Sequence, residues 1–118
     1  GGLLSNPGTR LASAIATLVD AQGVLQVAAL RPDSLTPQVR AILSDIEVGG
    51  MPGDPAIDTN WGEPGLTPAE RLYGWNTLEV LSFLTGNPAR PMNAIPGSAT
   101  AVCRRNRQGF CRVEHSPT

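Results

Sequence analysis

One histidine, two cysteines and ten carboxylates are the side chains this sequence offers for metal binding, nucleophilic attack or acid–base work, besides its hydroxyls. A structural or catalytic zinc needs about four ligands of the right type. Cys103, Cys111 and His115 have no recognised zinc spacing, so no native metal ligand is assigned. A Ser-His-Asp or Cys-His arrangement would have to recruit the same histidine, from a stretch with no periodicity of either kind. Asp54 and Asp58 are paired acids in a Gly/Pro-rich segment and read as solvated loop carboxylates rather than as an acid–base couple. Glu63 lies two positions from Trp61, an aromatic neighbour that can raise a carboxylate's pKa, although a hydrogen bond holding the loop is the plainer role. Gly49-Gly50, Gly62 and Gly65 do not follow a strand that opens into a helix, so no phosphate cradle is present. Trp61 and Trp75 read as packing residues rather than stacking platforms. Taken alone, the residues describe a small α+β domain with no self-sufficient active site, and no catalytic residue is assigned.

The elements that would position these side chains can be read locally. Asn6-Pro7 joins a capping amide to a proline at the first helical position, and Leu11, Ile15, Leu18 and Val19 make one apolar stripe. The spacing predicts a helix over 7–21, ended by Gly23, with Ala12, Ala14 and Ala16 letting it lie close on a sheet. Residues 24–30 are apolar and partly β-branched, which predicts a strand. Thr36-Pro37 repeats the cap, and Val39, Ile42, Leu43 and Ile46 predict a helix over 37–46. Residues 47–66 are glycine- and proline-rich and form a long loop, a feature usually tied to function.

Thr67-Pro68-Ala69-Glu70 is a capping box, which predicts a helical turn at 68–74. Thr77–Leu84 is the best strand in the chain. Simple alternation puts Leu78, Val80 and Leu84 on one face and Glu79, Leu81 and Phe83 on the other. Residues 98–103 form the next strand, paired antiparallel to it because the connection is too short for a helical crossover. From Arg104 onward the pattern stops, and 104–118 reads as a divergent, loose tail.

Composition narrows the function further. At 118 residues the chain is one domain, able to bury roughly 65% of its unfolded surface. A net charge of −1 gives no electrostatic basis for binding nucleic acid or an anionic membrane. No apolar run approaches the roughly 20 residues that cross a bilayer, and no charged-then-apolar start is present, which makes a cytoplasmic location the expectation. Two cysteines with no sign of secretion read as thiols, though a disulfide between them is possible.

Several segments, in order, carry a resemblance: Gly1-Gly2-Leu3-Leu4-Ser5-Asn6-Pro7, Trp61-Gly62-Glu63-Pro64-Gly65, Arg71-Leu72-Tyr73-Gly74-Trp75-Asn76-Thr77-Leu78-Glu79-Val80, and Asn93-Ala94-Ile95-Pro96. Over residues 1–103 the chain resembles the dimerisation (lid) domain of the zinc-dependent aminoacylase, acetylornithine deacetylase and carboxypeptidase G metallopeptidases. The resemblance implies an antiparallel sheet with helices on one face, ferredoxin-like and incomplete at the C-terminus. It implies a parent hydrolase that cleaves amide bonds of N-acyl amino acids or peptides, with two zinc ions and a glutamate base in its catalytic domain. The lid would contribute substrate contacts and closure, with no metal ligand of its own, and would be inactive alone.

The partners so implied are a second copy in a homodimer, the catalytic domain of the same parent chain, and the small substrate. In that family a histidine just before the Gly-Gly helps polarise the scissile carbonyl; it is not among these residues. Asn93 matches the asparagine of the family's Asn-x-Ile-Pro motif and is the candidate substrate contact; an asparagine fixing the turn before Pro96 is the alternative. The family's arginine thirteen positions beyond that asparagine falls here on Asn106, so the role is assigned to no residue. The competing function is a free-standing protein-interaction module with no catalytic role.

Overall fold

Two segments distant in sequence build one unit of this chain, and the stretch between them builds another. The computed structural model describes residues 2–105 and the backbone course of 109–115. Its contacts divide into a unit made of residues 1–18 and 78–118 and a second unit, Val19–Thr77.

The first unit is α+β. Helix α1, Pro7–Ala16, starts where the sequence places it: the Asn6 side chain accepts from the Thr9 amide at 3.2 Å, with proline at the first turn. Three strands, β1 (Leu78–Thr85), β2 (Ala99–Arg105) and β3 (Gly109–His115), form an antiparallel sheet in the order β1-β2-β3. Helix α1 packs on this sheet through Pro7, Gly8 and Leu11, which are buried. Gly8 is the close approach, because a Cβ there would stand 3.0 Å from the Thr85 Cγ2. The alanines expected to do that work, Ala12, Ala14 and Ala16, face outward instead.

The predicted antiparallel pairing of the two central strands is present, with Leu84 opposite Thr100 and Thr85 opposite Ala99. The predicted face assignment of the first strand is not. The register shifts between Val80 and Ser82, leaving Leu81 as an extra residue. Val80 and Phe83 therefore both oppose residues of the buried row Ala99, Ala101 and Cys103, whereas strict alternation separates them. The loose tail expected from Arg104 is also corrected: β2 runs on to Arg105, and residues 109–115 pair with it from Gly109 opposite Arg105 to His115 opposite Ala99. Backbone hydrogen bonding holds such a ladder without any apolar period. Asn106 falls outside the described residues.

In the second unit, local hydrogen bonding overrides two expectations. The helix expected to reach residue 21 ends at Ala16. Within the second unit Val19 forms a bridge with Leu25, and the Asp20 carboxylate accepts from the Gln22 and Val24 amides at 2.9 Å each. Gly23 (φ 79°) belongs to that turn and not to the helix end. Residues 24–30 do not make a strand. Leu25 alone bridges; its carbonyl accepts from the Arg31 guanidinium at 3.1 and 2.8 Å, and Ala28–Leu30 wind into one 3₁₀ turn.

Helix α2, Pro37–Leu43, is capped by Thr36 and is shorter than its apolar stripe, with Ile42 and Ile46 exposed. The capping box is present in full: Glu70 N donates to Thr67 Oγ1 at 3.2 Å, and Thr67 N donates to Glu70 Oε1 at 2.9 Å. The turn it opens is wider than an α-helix, a π-helical stretch over Glu70–Gly74. Residues 47–66 contain no helix or strand, as expected of a loop.

Candidate functional site

The connection between β1 and β2 forms a concavity from a short, proline-stiffened sequence. Gly86 (φ 69°) turns the chain out of β1, and a Cβ there would stand 3.3 Å from the Pro96 Cγ. Glycine is therefore what lets the two ends of the loop approach. The Asn87 carboxamide oxygen accepts from the Ala89 amide at 3.0 Å, and its backbone carbonyl accepts from Arg90 N at 3.1 Å. At the base, Thr85 Oγ1 donates to the Ser98 carbonyl at 3.1 Å. Between these fixed points lies an open hollow of about 710 Å³, its wall including Asn87, Arg90, Met92, Ile95 and Pro96.

Asn93 sits in an exposed bend of this loop, between Met92 and Ala94. Both of those neighbours line the hollow; Asn93 is not among the residues of its wall. An exposed carboxamide next to residues that line a mixed polar and apolar concavity can accept from an amide N–H or donate to a carbonyl. Arg90 is the charged side chain among the described residues of the wall, and it belongs to no sequence motif. Its placement between Pro88 and Pro91 is the signal that marks it, since two fixed φ angles reduce the backbone freedom of the turn that presents it.

The carboxylates considered for acid–base work serve their own loop. Asp54 accepts from the Met51 amide at 3.1 Å, and Asp58 from the Asn60 amide at 2.9 Å. Glu63 Oε2 and Arg71 Nε are buried atoms with no hydrogen-bond partner among the described residues. Arg71 uses another nitrogen to bind the Trp61 and Asp58 carbonyls, closing the loop from inside. Trp61 lies over Gly23, where a Cβ would stand 2.5 Å from the indole, and Gly62 N donates to the Gln22 carbonyl at 2.7 Å.

The ion pair found among the described residues is structural. Arg40 Nε lies 2.5 Å from Glu70 Oε2, and Glu70 is 6% exposed. That guanidinium, followed by the Thr67 backbone amide, holds the Glu70 carboxyl below the usual carboxylate range.

No group of three or more His, Cys, Asp or Glu side chains gathers among the described residues. Cys103 is buried and stands opposite Cys111 in the β2–β3 register; the side chains of Cys111 and His115 lie outside the described residues. Among the described residues no helix is long and apolar enough to cross a membrane. Strand β1 is an edge of the sheet, and Val80, Leu81, Phe83 and Leu84 on it are all exposed. Comparison with known protein families, with curated proteins and with solved structures gives no match.

Proposed function

We propose that this chain is the substrate-covering and dimerising part of a zinc metallohydrolase that cleaves amide bonds of N-acyl amino acids or peptides. One observation carries the reading. Asn93, the residue marked by the Asn-x-Ile-Pro resemblance, lies between two residues that line a concavity large enough for a small amide substrate. An antiparallel α+β unit with a helix against its sheet is compatible with an incomplete ferredoxin-like lid.

On this reading the metal ions and the glutamate base belong to the catalytic domain of the parent chain, and no chemical step is drawn through these residues. Asn93 orients the substrate amide, and the proline-stiffened loop excludes water when the lid closes. The exposed edge of β1 supplies the surface for pairing with a second copy. The parent works in the cytoplasm.

Titration of N-acetyl amino acids into the ¹⁵N-labelled chain tests the proposal. Binding moves the amide resonances of 92–97, and Asn93→Ala weakens it while the chain releases no acetate even with added zinc. Hydrolysis by the chain itself, or no response in that loop, overturns the reading. A second reading, a free-standing interaction module, is favoured by the apolar edge strand alone. It predicts self-association or partner binding through β1 with a silent 92–97 loop.

A further inference from the structure

We infer that Cys103 and Cys111 are a redox pair that closes a cross-strand disulfide, fastening the edge strand β3 to the central strand β2 when the chain meets a disulfide oxidant. The chain holds two cysteines, and the fold sets them opposite one another. The register that does so runs unbroken from Gly109 opposite Arg105 to His115 opposite Ala99. A slip of one residue would part the two cysteines. Residues opposite one another in an antiparallel pair have Cα atoms about 4.5 or 5.5 Å apart, and both separations fall inside the ~4.4–6.8 Å range of disulfides. The backbone already stands where the bond requires it. Two cysteines alone leave a zinc ion two ligands short, and His115 stands four residues, about 13 Å of strand, beyond Cys111. The pairing holds whether or not the β1–β2 loop covers a substrate.

Cys103 is buried in the row of Ala99 and Ala101, on the strand between β1 and β3. Strand β3 is paired on one side only, so its opening is the way in for an oxidant. One cysteine thiolate attacks a small disulfide such as oxidised glutathione, forming a mixed disulfide and releasing one glutathione thiolate. The second cysteine thiolate then attacks the protein sulfur of the mixed disulfide, closing the Cys103–Cys111 bond and releasing the other glutathione. The two cysteine protons end on the two glutathione thiols. The cysteines are oxidised by two electrons and the oxidant is reduced by two. The closed ring spans the connection 104–110 and ends the independent opening of β3, against which helix α1 also packs. Reductant reverses both steps.

The test equilibrates the full chain, kept dilute, with oxidised or with reduced glutathione. Trypsin cuts after Arg104, Arg105 and Arg107, between the two cysteines, so the peptides carrying them stay together only through a disulfide. The oxidised chain is expected to lose two hydrogens by intact mass, to titrate no thiol in denaturant and to give the joined peptide. Amide exchange over 109–115 should slow about tenfold, and reductant should restore it. Cys111→Ser, on the edge strand, should abolish both the link and the slowing, with an unchanged circular dichroism spectrum as the check on folding. The mass and exchange readings on the parent chain decide the matter should that variant fail to fold. Two titratable thiols after oxidation, glutathione retained on either cysteine, or a link between two copies overturns the pair. A closed disulfide that leaves exchange over 109–115 unchanged overturns the fastening of β3.

Discussion

Arg40 on helix α2 and Glu70 at the start of the π-helical turn are joined by a 2.5 Å hydrogen bond, and the same Glu70 carboxylate also accepts from the Thr67 amide. One side chain therefore closes a capping box and ties that turn to a helix thirty positions earlier. Because the folded-state pKa of Glu70 is depressed, its contribution is present above the ordinary carboxylate range and is lost as pH falls through the folded value. Glu70→Gln should lower the melting temperature at neutral pH. The gap to the parent chain should close as both are acidified below that value, as read by thermal unfolding across a pH series. A gap that persists at the acid end would show that the ion pair is not its source.

Thr67→Ala removes the hydroxyl that accepts from the Glu70 amide. The expected loss is about 1 kcal/mol by denaturant unfolding, with Thr67→Ser close to the parent.

Gly23→Ala adds a Cβ at a positive φ and against the Trp61 ring. Both effects destabilise, by more than about 1 kcal/mol together. Tryptophan emission should shift, because the indole must leave its seat. In a Trp61→Ala background the steric part should vanish and only the backbone part remain.

Leu11 is 1% exposed beneath the sheet, and Leu11→Ala should cost about 3 kcal/mol. Ala12→Ser, one position along on the outward side, should stay within about 0.5 kcal/mol. Denaturant midpoints measured side by side separate the two faces of α1.

Leu81 and Leu84 are more than half exposed on the edge strand. If β1 pairs copies of the chain, Leu84→Arg should convert a sedimenting dimer to monomer with an unchanged circular dichroism spectrum. A parent chain that sediments as a monomer at every accessible concentration would remove the dimer from the proposal.

What could be read from the sequence was local. The Asn6, Thr36 and Thr67 caps each depend on residues three positions apart, and all three form as their residue types require. The antiparallel pairing of the strands expected at 77–84 and 98–103 was legible because a short connection leaves the second strand nowhere else to go, although the second runs on to Arg105. The bulge at Leu81 was not, since alternation describes one strand and a bulge is a property of two. Residues 24–30 carry strand propensity, but that segment spends its carbonyls elsewhere, Leu25 on Arg31 and Leu30 on Asn76, forty-six positions away. Strand β3 went unseen because its pairing rests on backbone groups rather than an apolar period. At the candidate site, Asn93 is marked only by the resemblance, and Arg90 became visible once the loop had a shape.

The unit formed by residues 1–18 and 78–118 has a consequence for synthesis on the ribosome. Helix α1 emerges first, but the strands it covers lie beyond an intervening stretch of fifty-nine residues, 19–77. At about 5–20 residues per second, Pro7 and Leu11 wait several seconds in water before a sheet exists to receive them. The contiguous Val19–Thr77 unit has no such delay, so the middle of the chain can fold before its beginning does.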